Sequence, residues 1–170
     1  MRKSGVKVGG VFSVEVYDKE GRFKWKTLAD NLVTNGGLEF VLGILFADSS
    51  TVGTWYLGLT DGTPTVDAAD TIASHAGWSE VVNYDELVRQ EFVDVRSDRN
   101  VTNSASKAVF TMSSTVTVGG AFLAASPNKG SATSSVVLLC AAAFTEGDRS
   151  LVDGDTVNAQ YDFSAADDGA

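Results

Sequence analysis

The sequence predicts a mainly β fold, an antiparallel β-sandwich or jelly-roll-like single domain with one short helix. Short runs of alternating apolar and polar residues recur along the chain, turn residues separate them, and only one segment has helical spacing. Frequent turns with few helices favour antiparallel β architecture over an α/β arrangement. The 170 residues, of which 44% are hydrophobic, suit one domain with a sizeable core.

The first predicted element is a β-hairpin. Val11–Tyr17 alternates apolar and polar side chains, and the residues Asp18–Gly21 that follow are typical of a turn. Residues 22–27 alternate again, with aromatic side chains on one face and basic side chains on the other. Two alternating runs joined by a short turn indicate antiparallel strands that pair with each other.

One helix is predicted over Gly36–Phe46. Leucine and valine side chains recur there at helical spacing, at positions 38, 41, 42 and 45. Thr34 or Asn35 is suited to cap its N-terminus. The glycines in this segment weaken the helix, and we expect it to be short. We also expect it to be buried and to plug one end of a β core.

The remaining predicted strands follow the helix. They are Thr54–Thr60, Glu80–Tyr84, Val88–Val95, Lys107–Met112, Val116–Ala124, Val136–Phe144 and 157–163. The continuous apolar run Val136–Phe144 predicts a central strand that is covered on both faces. Gly119 and Gly120 predict a bulge or bend within their strand.

Asp61–Gly77 is poor in large apolar residues and predicts a long loop.

We divide the chain into an N-terminal arm of residues 1–10, the β-rich domain of residues 11–165 and an acidic tail of residues 166–170. No apolar segment of secretory-signal type follows the first residues, and no stretch has the ~20 apolar residues needed to span a bilayer. We therefore expect a soluble protein that is made in a cytoplasm and has no membrane partner.

Charge is distributed unevenly between the two ends of the chain. The formal net charge of −9 argues against a general nucleic-acid-binding protein, which needs a basic surface. Residues 1–30 hold seven Lys and Arg against four Asp and Glu, whereas residues 31–170 hold six against eighteen. The basic N-terminal part could dock on an acidic partner, and the alternative is an ordinary solvated hairpin.

His75 is the only histidine and the obvious candidate for catalysis. A hydrolase triad would pair it with Ser74 or Ser79 and with a carboxylate such as Asp70 or Glu80. The sequence has no nucleophile-elbow pattern. We therefore expect no catalytic residue, and we predict that the His75 ring packs on Trp78 and bonds a local backbone group.

No cofactor or metal site is predicted. Cys140, the only cysteine, lies in an apolar run and is predicted to be a buried, unreactive thiol, which leaves His75 without zinc-ligand partners. Two groups of acidic residues remain as alternatives for calcium, although neither has EF-hand spacing and turns explain both equally well. They are Asp61, Asp67 and Asp70, and Asp153 with Asp155.

The aromatic residues allow two interpretations. Trp25 and Trp55 lie in strand patterns and are predicted to belong to the core. Trp78 lies in a Gly-flanked loop, where an exposed ring could bind a sugar or another protein.

The segment from Asn31 to Arg89 resembles a group of small structural proteins of tailed bacteriophages. The matching features are Asn31-Leu-Val-Thr-Asn with Leu38, Trp55-Tyr-Leu-Gly-Leu59, Asp70-Thr71, His75-Ala-Gly-Trp-Ser-Glu80, Tyr84 and Arg89. The turn Asp153-Gly-Asp155 before the last strand is similar as well. The resemblance touches about half of the chain and rests on the order and spacing of its motifs.

This resemblance implies a non-enzymatic virion component of the capsid decoration (cement) protein type. Such a protein would be made in the cytoplasm of the host bacterium, sit on the outer capsid surface as a homotrimer, and bind the major capsid protein. The resemblance implies no catalytic residue and does not separate head from tail. A tail- or fibre-associated adhesin that binds host glycans is the alternative, and a small β-sandwich hydrolase is a third.

Two sets of residues are predicted to make these contacts. Basic residues of the arm and hairpin are the candidate capsid contact: Arg2, Lys3, Lys7, Arg22, Lys24 and Lys26. Residues of the phage-like segment are the candidate contact with another subunit or partner: His75, Trp78, Tyr84 and Arg89.

Overall fold

The computed structural model of the protein describes residues 5–133 and 135–167. Within these residues the chain forms two antiparallel six-stranded sheets and one helix, which confirms the predicted mainly β, sandwich-like fold with a single short helix. No helix in the described part of the chain has the length and apolar character to cross a membrane.

The first sheet has the strand order β2-β1-β12-β7-β6, and β8 also pairs with β12. Its strands are β1 (Val6–Tyr17), β2 (Phe23–Asp30), β6 (Val95–Ser97), β7 (Asn100–Thr102), β8 (Ala108–Thr111) and β12 (Thr156–Asp167).

The second sheet has the strand order β3-β10-β9-β4-β5, and β11 also pairs with β9. Its strands are β3 (Leu32–Val33), β4 (Tyr56–Asp61), β5 (Gln90–Glu91), β9 (Val116–Ala124), β10 (Leu138–Ala143) and β11 (Arg149–Leu151).

The predicted hairpin is confirmed as β1 and β2, but β1 is longer than the sequence pattern indicated. It pairs with β12 along its whole length, from Val6 opposite Asp167 to Tyr17 opposite Thr156. Residues 6–10 are therefore part of the sheet and not of a separate arm, and residues 166–167 likewise extend β12. Gly9 and Gly10 interrupt the alternation of apolar and polar residues, so the sequence pattern did not indicate a strand here. At Gly10 a side chain would collide with the backbone of β12. The predicted contact residues Arg2 and Lys3 lie outside the described residues.

The core lies between the two sheets. Inward-facing residues of the first sheet, among them Phe12, Val14 and Tyr161, meet Leu57 and Leu59 of the second sheet. The rings of Phe12 and Tyr161 stack with their centroids 4.3 Å apart. In β1 and β12, apolar side chains at every second position thus face the core, as the alternating pattern predicts.

Strand β10 is the predicted central strand. It pairs with β9 on one side and with β3 on the other, and its residues 138–142 are buried. Cys140 is fully buried in it, and its thiol donates to Tyr161 Oη at 3.3 Å. Burial raises the pKa of the Cys140 thiol to about 12, which agrees with the predicted unreactive cysteine.

The predicted bulge occurs at Gly119. Thr60 pairs with Gly120 and Asp61 pairs with Val118, so Gly119 has no partner in β4. The backbone of residues 62 and 63 fills the space where a side chain would stand. Glycine is required here because the chain after β4 crosses directly over β9.

The segment between β4 and β6 departs from the prediction. Glu80–Tyr84 and Val88–Val95 were expected to be strands, but they form only isolated bridges at Glu80 and Tyr84 and the two-residue strand β5. Their backbone groups make single hydrogen bonds to different partners: the amide of Val81 donates to the carbonyl of Leu59 in β4 at 2.9 Å, and the amide of Arg89 donates to the carbonyl of Pro127 at 2.7 Å. Scattered bonds to strands and turns therefore replace a regular strand ladder in this part of the chain.

Helix α1 spans Asn35–Phe46, so the predicted helix is confirmed and begins one residue earlier. Thr34 is its N-cap, and the Thr34 Oγ1 atom accepts a hydrogen bond from the amide of Gly37 at 3.0 Å. Gly37 is buried against the backbone of Leu139, so the start of the helix rests directly on β10.

Candidate functional site

The loop between β4 and β5 holds most of the residues that the sequence singled out. His75 stacks on Trp78 with a ring separation of 3.8 Å, and His75 Nδ1 lies 2.8 Å from the backbone oxygen of Trp78. The predicted packing and backbone contact of His75 are thus both confirmed. The Trp78 indole donates through Nε1 to Asp70 Oδ2 at 3.0 Å and packs on Phe122.

Trp78 is buried, with 9% of its surface exposed. Phe122 and Ile72 belong to the same apolar cluster. The ring therefore offers little area for stacking on a sugar or for contact with a partner, and the predicted contact role of Trp78 is replaced by an internal one.

Arg89 is the largest fully buried side chain among the described residues. It forms a bidentate ion pair with Glu80, donates through Nη1 to the carbonyl of Ser126 at 3.1 Å, and lies over the Phe122 ring. A guanidinium group that makes this many contacts inside the chain serves to hold the loop in place. The predicted contact of Arg89 with a partner is therefore wrong for its side chain.

Tyr84 is also buried. Its ring meets Phe110 edge to face with the ring centroids 5.1 Å apart, and Lys129 Nζ lies over the ring, 4.0 Å from its centroid. Burial raises the pKa of the Tyr84 hydroxyl above its ordinary value. Of the four predicted partner-contact residues, only His75 is partly exposed, and the other three are buried.

Asp70 and Asp155, one from each acidic group considered for calcium, accept hydrogen bonds within the chain. Asp70 accepts from the amide of Asp67 as well as from Trp78, and Asp155 accepts from the amide of Val152 and from Lys24. Within residues 5–133 and 135–167, no group of three or more His, Cys, Asp or Glu side chains is arranged to hold a metal ion.

The basic hairpin residues are largely paired with acids. Lys24 Nζ donates to the buried Asp155 at 2.5 Å, and Arg22 binds both Asp18 and Glu20. The charge excess of residues 1–30 is thus partly neutralised where it was expected to form a docking surface.

Glu15 is the centre of a second ion-pair network on this sheet. Its two carboxylate oxygens accept from Lys107 at 2.8 Å and from Lys26 at 3.1 Å. Hydrogen bonding and attraction to these two ammonium groups lower the pKa of Glu15 below its ordinary value. Of the described residues in the predicted capsid contact, Lys7 is exposed, Arg22 is largely exposed and Lys26 is about half-exposed.

Two apolar features were not predicted. The first is a cavity of about 320 Å³ between α1 and both sheets, lined mainly by aromatic and aliphatic residues such as Phe40, Trp55, Phe92 and Phe163. Its lining comes from strands and loops far apart in the sequence, so no local pattern could have revealed it.

The second is the outer face of α1. Leu38, Leu42, Leu45 and Phe46 are exposed there, and Glu39 is the only charged residue of the helix. The helix was expected to be buried, and this prediction is wrong, because Gly37 is its only buried residue. A helix that is apolar on every side cannot bury all of its faces against one sheet.

The chain matches no protein-family model, and no curated protein sequence matches it significantly.

Proposed function

We propose that the chain is a non-enzymatic structural protein of a bacteriophage virion, a capsid decoration protein that binds and stabilises the lattice of the major capsid protein. The observation that carries this proposal is a contrast between polar and apolar groups. Polar side chains of the predicted site, such as Arg89, Glu80 and Asp70, bond within the chain, whereas large apolar side chains of α1 and β2 face solvent. A surface of this kind supports binding to another protein better than it supports chemistry.

The edge strand β2 is the proposed contact with the capsid. Its outer side combines the exposed apolar residues Phe23 and Leu28 with the half-exposed Lys26. Strand edges and apolar residues beside a charged rim are common features of protein-binding surfaces. In this arrangement the apolar residues supply affinity, and Lys26 contributes orientation.

The location of the chain in purified particles tests the proposed function. A decoration protein is expected in copy numbers comparable to those of the major capsid protein, distributed over the head surface. Quantitative gel or mass-spectrometric analysis, followed by imaging of the particle, measures both quantities. A few copies confined to the tail would contradict the proposal and favour the adhesin alternative.

Binding to undecorated capsids tests the contact surface. The double variant Phe23→Glu, Leu28→Glu should reduce occupancy strongly, whereas Leu87→Glu, at an exposed loop position outside this surface, should bind normally. Removal of residues 1–4 leaves β1 intact and measures the separate contribution of Arg2 and Lys3. Normal occupancy of the β2 double variant would exclude this strand as the capsid contact.

A further inference from the structure

Helix α1 presents an exposed leucine row on the side opposite to its packed face. Its inner face rests on β10 through Gly37 and on Trp55 through Phe40, whose ring centroid lies 5.3 Å from that of the indole. Leu38, Leu42 and Leu45 follow one another at spacings of four and three residues, which places them in one row on the other side.

This row is large enough to matter for association. The exposed fractions of Leu38, Leu42, Leu45 and Phe46 range from 40% to 82%. They leave roughly 400 Å² of largely apolar surface in water, taking about 150 to 200 Å² for one fully exposed large apolar residue. A stable interface buries about 800 Å² on each partner, so these four residues alone supply about half of one share.

We propose that the outer face of α1 is an interface between copies of this chain, in which the leucine row of one copy packs on the leucine row of another. Spacings of four and three residues are those of a coiled-coil seam, and such a row is complementary to itself under a symmetric arrangement. A partner other than a second copy would have to bring an equally apolar surface of its own.

Charge favours a second copy approaching through this face. The whole chain carries a net charge of −9, so two copies repel each other over most of their surfaces. Between Asn31 and Thr60 the only charged residues are Glu39 and Asp48. Two copies can therefore meet through this helix with little charge repulsion. The helix also has few charged groups that could select a partner of opposite charge.

Sedimentation equilibrium of the complete chain tests the interface. The wild-type protein should associate with a dissociation constant below about 100 μM. The double variant Leu42→Glu, Leu45→Glu should raise this dissociation constant at least about tenfold. Leu87→Glu adds one glutamate at an exposed loop position outside the row and should leave association unchanged. A monomeric wild-type protein, or a double variant that associates like wild type, would overturn the proposal.

Cross-linking gives a second test of the interface that does not depend on the folding of the glutamate variant. Leu42 is the middle residue of the row, so Leu42→Cys should join copies efficiently with a short bis-maleimide whichever way the two helices run. Leu87→Cys is the matched control, and the buried Cys140 should remain unmodified in the folded protein. Equal cross-linking of the two variants would also overturn the interface.

These results are independent of the capsid. Binding to capsids by a protein that stays monomeric would reject the α1 interface and leave the proposed function in place. Association through α1 without capsid binding would support the α1 interface and reject the proposed function.

Discussion

Arg89 and Glu80 form a buried bidentate ion pair, in which Arg89 Nε and Nη2 donate to Glu80 Oε1 and Oε2 at 2.7 and 2.8 Å. Their side chains are only 1% and 7% exposed. Arg89 also donates to the carbonyl of Ser126, and Glu80 also accepts from the amide of Gly130. The pair therefore ties the long loop after β4 to the turn that follows β9.

Removal of one partner should be far more damaging than loss of a surface ion pair. In Arg89→Ala the Glu80 carboxylate stays buried without its counter-charge, so the free energy of unfolding should fall by about 3 kcal/mol or more. Urea unfolding followed by circular dichroism measures the change.

Two controls separate burial from charge. Arg22→Ala removes an ion pair with Asp18 at the surface and should cost much less. Replacement of both Glu80 and Arg89 by leucine should recover much of the loss, because no charge is then left unpaired. Similar losses for Arg89→Ala and Arg22→Ala would contradict the structural role assigned to Arg89.

The hydrogen bond from Trp78 to Asp70 gives a second prediction. Trp78→Phe keeps an aromatic ring for stacking with His75 and Phe122 but removes the Nε1 donor, and Asp70 is itself buried. We expect a loss of about 1 to 2 kcal/mol in the free energy of unfolding.

The matched control for this variant is Trp25→Phe. Trp25 is partly buried, contacts the Phe144 ring edge to face and faces the Arg149 guanidinium, so it tests the loss of ring contacts without the Asp70 hydrogen bond. Thermal and urea unfolding of the two variants should show the larger loss for Trp78→Phe. A loss that is equal in both would mean that ring size, and not the Asp70 contact, explains the effect.

The elements with strong local signals could be predicted from the sequence. The β1–β2 hairpin, helix α1, the central strand β10 and the Gly119 bulge each depend on residues that are neighbours in the chain. The His75–Trp78 contact also spans only three residues, so local reasoning was enough to find it.

The pairing of charges could not be predicted in the same way. Lys24 meets Asp155 across 131 residues, and Lys107 meets Glu15 across 92 residues. A count of charges along the chain showed a basic N-terminal part, but the fold brings acids from distant segments to it. The burial of Arg89 escaped prediction for the same reason, because its contacts with residues 126–130 depend on the tertiary fold.

Two adjacent glycines in α1 should respond to alanine in opposite directions. At Gly37 a new Cβ would collide with the carbonyl oxygen of Leu139, whereas at Gly36 the nearest atom is Thr34 Oγ1 at 3.9 Å. We expect Gly37→Ala to lower the free energy of unfolding by about 2 kcal/mol through overpacking. Gly36→Ala should raise it by about 0.5 kcal/mol through better helix propensity.

Thermal unfolding of both variants measures this difference, and each serves as the control for the other. Equal effects would mean that α1 does not rest on β10 as closely as the Gly37 contact requires.

The Glu15 network predicts a dependence of stability on pH. Lys107 and Lys26 hold the pKa of Glu15 below its ordinary value of about 4.5, which means that the folded state favours the charged carboxylate. Its contribution to stability is therefore fully present above the unfolded-state pKa and is lost as the pH falls through the lower folded-state pKa. Glu15→Gln should cost about 1 kcal/mol at pH 7, and this cost should shrink towards pH 3.

Urea unfolding of wild type and Glu15→Gln between pH 7 and about pH 3 measures the difference. Glu20→Gln changes a half-exposed carboxylate in the turn of the same hairpin and is the control, with a smaller effect at neutral pH. A cost of Glu15→Gln that stayed constant across this pH range would show that the side chain acts through packing, and that the two lysines do not stabilise its charge.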